Sequence, residues 1–144
     1  MRKSTSIITA VVLAAGAVSV TAAPANADRT IPNTTCSVDS VEPSRPTSAL
    51  TMYFSGTLTC ASPYPGYNGA VQARVERRRP DGVWEVVATA PRNPSSGTTY
   101  VYNGASLHSS SSAACVAGPL RTQTIVNVNG TQYIDYSGEV RLCG

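Results

Sequence analysis

Lysine is absent beyond the third residue: Lys3 is the only one in the chain, so every later cation is an arginine. That excludes Schiff-base chemistry on a side-chain amine. There is one histidine, His108, with one tryptophan and one phenylalanine. No Gly-x-Ser-x-Gly elbow occurs, and the serines around His108 form a run rather than a strained turn. No Cys-x-x-Cys is present, so neither a redox pair nor a zinc site is indicated. Heptads, a collagen period and apolar runs after residue 20 are also missing. Charge is scarce at 13%, yet 42% of the 144 residues are hydrophobic, too many for a disordered chain.

The N-terminus reads as an export signal. Met1-Arg2-Lys3 is a positive n-region, Ile7 to Val20 an apolar stretch too short to span a bilayer, and Ala25-Asn26-Ala27 a small-x-small cleavage site. The expected division is a signal peptide at 1–27 and a single all-β secreted domain at 28–144. Removing residues 1–27 leaves 117, enough for one domain. It also removes Arg2 and Lys3, leaving nine arginines against eight acids, a balance of +1. The basic precursor is therefore no guide to partners. Nucleic acid is not expected, nor is a membrane span or a lipid anchor. The Ala-rich leader and exclusive use of arginine resemble exported proteins of high-GC Gram-positive bacteria.

Four cysteines remain, Cys36, Cys60, Cys115 and Cys143. An even count in an exported chain predicts two disulfides, with three possible pairings. Cys36 and Cys60 are centred on residue 48, just after the reversal signal Pro43-Ser44-Arg45-Pro46. Cys115 and Cys143 fall one residue short of direct opposition across a turn at Asn129-Gly130, and Gly118-Pro119 can absorb the difference. Pairing 36–60 and 115–143 is preferred. Each closed loop would contribute about 3 kcal/mol.

Alternation of period two dominates. Over 49–60, Leu50, Met52, Phe54, Gly56, Leu58 and Cys60 share one face, opposite Thr51, Tyr53, Ser55, Thr57 and Thr59. A strand at 70–79 places Val71, Ala73 and Val75 together. Arg79-Pro80-Asp81-Gly82 turns it into a partner at 83–90. A two-residue turn would set Arg77 opposite Trp84 and Glu76 opposite Glu85. A three-residue turn with a glycine bulge would instead set Arg77 opposite Glu85 and Val75 opposite Val87. Residues 91–97 read as a loop, 98–102 as a short strand, and the serine-rich 103–113 as a mobile segment. Asn129-Gly130 predicts a type I′ hairpin joining 119–128 to 131–142, with Ile134, Tyr136, Gly138, Val140 and Leu142 on one face and a bulge near Ser137-Gly138.

About seven strands at this spacing predict a small disulfide-stabilised antiparallel β-sandwich, immunoglobulin-like in architecture, with a small β-barrel as the alternative. Trp84 lies 24 positions after Cys60, farther than the immunoglobulin tryptophan from its cysteine.

No catalytic residues, metal ligands or cofactor are assigned. The candidate contact residues are aromatic and cationic. Tyr64 and Tyr67 lie in a Pro/Gly/Asn-rich segment, and Tyr100 and Tyr102 flank the serine run. Tyrosine among Ser, Gly and Asn is the chemistry of adaptable binding loops. Arg77, Arg78 and Arg79 face Trp84 across a hairpin, where guanidiniums can stack on the indole and pair with anions. The expected function is a secreted, non-catalytic binding module. Its partner would be an extracellular protein or a cell-surface glycan, met through loops or a strand edge. The alternatives are an inhibitor of an extracellular hydrolase and a small secreted hydrolase.

Overall fold

A computed structural model of the protein describes residues 29–61, 67–101 and 104–144. Tyr64 and Tyr102 lie outside these, as does the leader. The described residues contain nine strands and no helix. They are β1 (Arg29–Thr30), β2 (Cys36–Ser44), β3 (Thr51–Cys60), β4 (Tyr67–Arg78), β5 (Trp84–Thr89), β6 (Thr99–Val101), β7 (Ala105–Ala114), β8 (Leu120–Val128) and β9 (Thr131–Tyr136). Two antiparallel sheets form, ordered β1-β2-β3-β7 and β5-β4-β8-β9, with β6 beside β4. No ladder joins the sheets among the described residues, so the arrangement is a sandwich rather than a closed barrel. In immunoglobulin domains the first two strands share a sheet with the fourth and fifth. Here β1, β2 and β3 are successive neighbours and β7 follows them.

Turn chemistry sets both clear hairpins. Asn129 and Gly130 take φ of 51° and 86°, the positive pair of a type I′ turn, and Val128 stands opposite Thr131. At 79–82 the longer turn forms. Gly82 has φ 89°, Arg79 N–H donates to the Val83 carbonyl, and Arg77 pairs with Glu85. The expected partner of Val75 is not reached. A bulge between Val75 and Glu76 in the register sets Val75 against Ala88 instead.

The main correction concerns the serine run. Residues 105–114 are a strand, paired residue for residue with the whole of β3. Serine favours local side-chain bonds over a ladder, so its run reads as a loop in isolation. Here β3 supplies the ladder and cross-strand hydroxyls engage one another, with Thr59 Oγ1 2.7 Å from Ser106 Oγ. His108 is therefore on a strand, not a loop.

Two further readings change. Leu50 is 84% exposed, because the strand begins at Thr51 and the preceding turn, with Ser48 at φ 68°, carries Leu50 outside the buried layer. The last strand ends at Tyr136, and the register shifts before Val140 meets Leu120. The expected common face is thereby split. Ile134 and Tyr136 stand beside Ile125 and Gln123 on the outer face, while Val140 and Leu142 pack on the core.

The core has two apolar halves, each holding a disulfide. One gathers Ile31, Val38, Leu58, Val71 and Val126 around Cys36–Cys60. The other gathers Met52, Phe54, Val75 and Leu120, with Val140, Leu142 and the Cys115–Cys143 bridge at its rim. Between them runs a waist of buried hydroxyls. Ser40 Oγ donates to Thr124 Oγ1 at 2.7 Å, and Thr122 Oγ1 donates to the Val41 carbonyl at 2.6 Å. A Cβ on Gly56 would lie 2.2 Å from Thr124 Oγ1, so glycine lets the sheets close at this level. Ser109 is the third component. Its hydroxyl accepts from Ala73 N–H at 2.9 Å and donates to the Pro91 carbonyl at 2.7 Å. It fills the gap where the chain after β5 leaves β4 at a proline, which has no N–H to continue the ladder.

Candidate functional site

Strand alternation divides the arginine run. Arg78 points to the outer face of the second sheet. Arg77, one step past buried Val75, takes an inward-facing position at the open end of the sandwich and pairs with Glu85. Arg79 sits in the turn and bonds Asp81 at 2.6 Å.

On the outer face, register brings distant residues together. Glu76 stands between Val86 on β5 and Arg121 on β8, and Tyr136 on β9 stands opposite Gln123, the next outward position along β8 from Arg121. The Arg121 guanidinium lies 4.0 Å from the Trp84 ring centroid and 3.9 Å from that of Tyr136. The Arg78 guanidinium lies 5.6 Å from the centroid of the same Trp84 ring. The result is a pile of cations and rings, Arg121 against both rings and Arg78 against one, in which each guanidinium meets the negative quadrupole of an aromatic face. Glu76, only 5% exposed, anchors it with an ion pair to Arg121 at 3.3 Å. The second oxygen of Glu76 and the Nε of Arg121 and Arg74 are buried without a hydrogen-bond partner.

This pile continues into a cleft at the end of the sandwich. Arg77, Arg78, Arg79 and Arg141 line it with Gly118 and Pro119, around a volume of about 720 Å³. Among the described residues no carboxylate lines the cleft, although Glu85, Glu139 and Asp81 pair with three of its arginines from outside. One wall is fixed to the other by Arg78 N–H donating to the Pro119 carbonyl at 2.9 Å. Cys115–Cys143 closes the segments that carry Gly118 and Arg141. The walls are thus held in place before any ligand arrives, which lowers the ordering cost of binding.

The sequence-predicted contact residues do not form one surface. Arg77, Arg78, Arg79 and Trp84 come together, joined by Arg121, Tyr136 and Arg141. Tyr67 lies at the opposite end of β4, roughly 35 Å away at the rise of a strand. It packs against the first core half, and its hydroxyl accepts from Thr35 N–H at 3.3 Å. Tyr100 stands opposite Asn68 at that same far end. Arg121 and Tyr136 are silent in the sequence, where they are ordinary residues of outward strand positions more than 35 residues from Trp84.

His108 lies on the outer face of the first sheet, its Nδ1 3.1 Å from Thr57 Oγ1. Asp39, the acid in that row, stands on the far side of Thr57 from the imidazole. Among the described residues no cluster of three or more His, Cys, Asp or Glu could hold a metal ion, and no helix is long and apolar enough to cross a membrane.

No family model matches the chain, and no curated protein does. Among solved structures it is similar to the Pseudomonas fluorescens alkylpurine DNA glycosylase AlkC bound to DNA containing an abasic site analog. The identity is 17% and the TM-score 0.34, over 64% of this chain and 25% of that one. The chain thus spans about a quarter of that protein, and a likeness of this size carries no function across.

Proposed function

We propose that this protein is a secreted, non-catalytic binding module that engages an anionic partner outside the cell through its arginine–aromatic end. One observation carries the reading. Arg77, Arg78, Arg79, Arg121 and Arg141 surround one end of the sandwich with Trp84 and Tyr136, and the walls of their cleft are braced by Cys115–Cys143. Guanidiniums held over rings and ion-paired at one edge keep further N–H groups for carboxylate or phosphate. The partner is accordingly an acidic patch of an extracellular protein or a glycan bearing such groups. Export is supported by the leader pattern and by two disulfides, which persist in oxidising compartments.

Affinity capture from secreted and cell-wall fractions tests this. The disulfide-bonded protein should retain a partner that salt elutes, and Arg141→Glu combined with Arg79→Glu should abolish retention. Capture that is indifferent to both salt and these substitutions would refute it. A second reading, inhibition of an extracellular hydrolase, draws on the same brace. The hairpin that carries the tip Arg79-Pro80 is fastened at Arg78 to a disulfide-closed segment, as presented inhibitor loops commonly are. Loss of activity of a purified secreted hydrolase on adding stoichiometric protein would favour it.

A further inference from the structure

The outer face of the first sheet carries a second and chemically opposite concavity. Register places two rows of three side chains across β2, β3 and β7: Ser44, Tyr53 and Ser112, then Val41, Ser55 and Ser110. The ladder between β2 and β3 shifts between Val41 and Ser44. Glu42 and Pro43 thereby fall out of step with β3, and Pro43 is buried. The groove here has a volume of about 400 Å³ and is lined by these residues with Glu42, Phe54 and Ser111. Tyr53 is 50% exposed and Val41 40%, so both present apolar surface to the groove.

We infer that this groove binds a neutral glycan, with one pyranose ring lying on Tyr53. The lining selects that chemistry. Among the described residues no cation lines it, so nothing there pairs with an anionic ligand. Anions are therefore directed to the arginine end, on the other sheet. A pyranose has an apolar C–H face, which fits the electron-rich face of a tyrosine ring. Its equatorial hydroxyls lie at the ring edge, where Ser44, Ser55, Ser110 and Ser112 surround Tyr53 as donors and acceptors. Long, flexible side chains are absent from the two rows. Little rotamer freedom is lost when a ligand settles there.

Titration of the isotope-labelled, disulfide-bonded protein with cellohexaose and with chitohexaose, followed by amide NMR, tests the inference. At least one probe should shift the amides of Val41, Tyr53, Ser55 and Ser112 selectively. Tyr53→Ala should weaken that binding about tenfold, the scale of a lost ring contact, while Tyr53→Phe should keep most of it. Arg121→Ala should leave it unchanged, which separates this groove from the anion site. The inference is overturned if neither probe binds at millimolar concentration, or if Tyr53→Ala binds as well as the parent. It is equally overturned if the shifts map to the arginine end, or if the same amides shift with protein concentration alone, which would make a second copy the occupant.

Discussion

The two outer faces of this sandwich are built from the same pleat and carry opposite chemistries. On the β2-β3-β7 face the side chains are short and mostly uncharged, and hydroxyls answer hydroxyls across strands, as Thr59 does Ser106. On the β5-β4-β8-β9 face they are long, charged or aromatic, and Arg121 is held between Trp84 and Tyr136. The first face needs little besides its ladder. The second depends on side chains restraining one another, and on a disulfide at its open end. A face of short residues is therefore shaped by backbone register, whereas a face of long ones is shaped by packing and charge.

Breaking either disulfide should have the largest effect on stability. Cys115→Ala with Cys143→Ala removes a cross-link between residues 28 apart and should cost about 3 kcal/mol, seen in denaturant midpoints. Anion retention should fall with it. Removing Cys36–Cys60 should cost at least as much stability, since those cysteines are also buried, yet spare retention by the remaining folded protein. If both pairs affect retention alike, the arginine end is not locally braced.

Gly56→Ala should follow, at about 2 kcal/mol, because the new methyl meets Thr124 across the waist. Adding Thr124→Ala should recover part of the loss, which a double-mutant cycle would read. Ser109→Ala should cost about 1–2 kcal/mol by leaving the Ala73 N–H and the Pro91 carbonyl unpaired. Hydrogen exchange at Ala73 should accelerate in step.

Trp84→Ala should cost about 1 kcal/mol through lost cation–π contact and area, with chemical shifts moving at Arg78, Arg121 and Tyr136 and not at Tyr53. The smallest effect belongs to Tyr53→Ala, within about 0.5 kcal/mol of the parent. Marked destabilisation there would show that Tyr53 is structural, contrary to the contrast between the faces.

Much of the scaffold is legible in the residues. Asn129-Gly130 dictates its turn because two successive positive φ values suit few other pairs. Cys36 and Cys60 pair as expected because the reversal between them is short and rich in proline. Met52, Phe54 and Leu58 are buried as alternation requires. The serine run was not legible as a strand, since serine carries no strand signal of its own and takes its conformation from β3. Half of the arginine site was visible as Arg77, Arg78, Arg79 and Trp84. Its other half comes from strands β8 and β9, and no local pattern marks Arg121, Tyr136 or Arg141 as neighbours of Trp84.

Local patterns in the chain specify the all-β class, the two disulfides, the hairpin at 129–130 and the inward face of β3. These rest on local rules: turn dihedrals, period-two alternation and short loop closure. Which cations share a surface, the burial of Glu76 beside Arg121, and the place of the serine strand in a sheet are fixed by the folded arrangement. Those outcomes depend on cross-strand register between distant segments, a relation that no single stretch of residues contains.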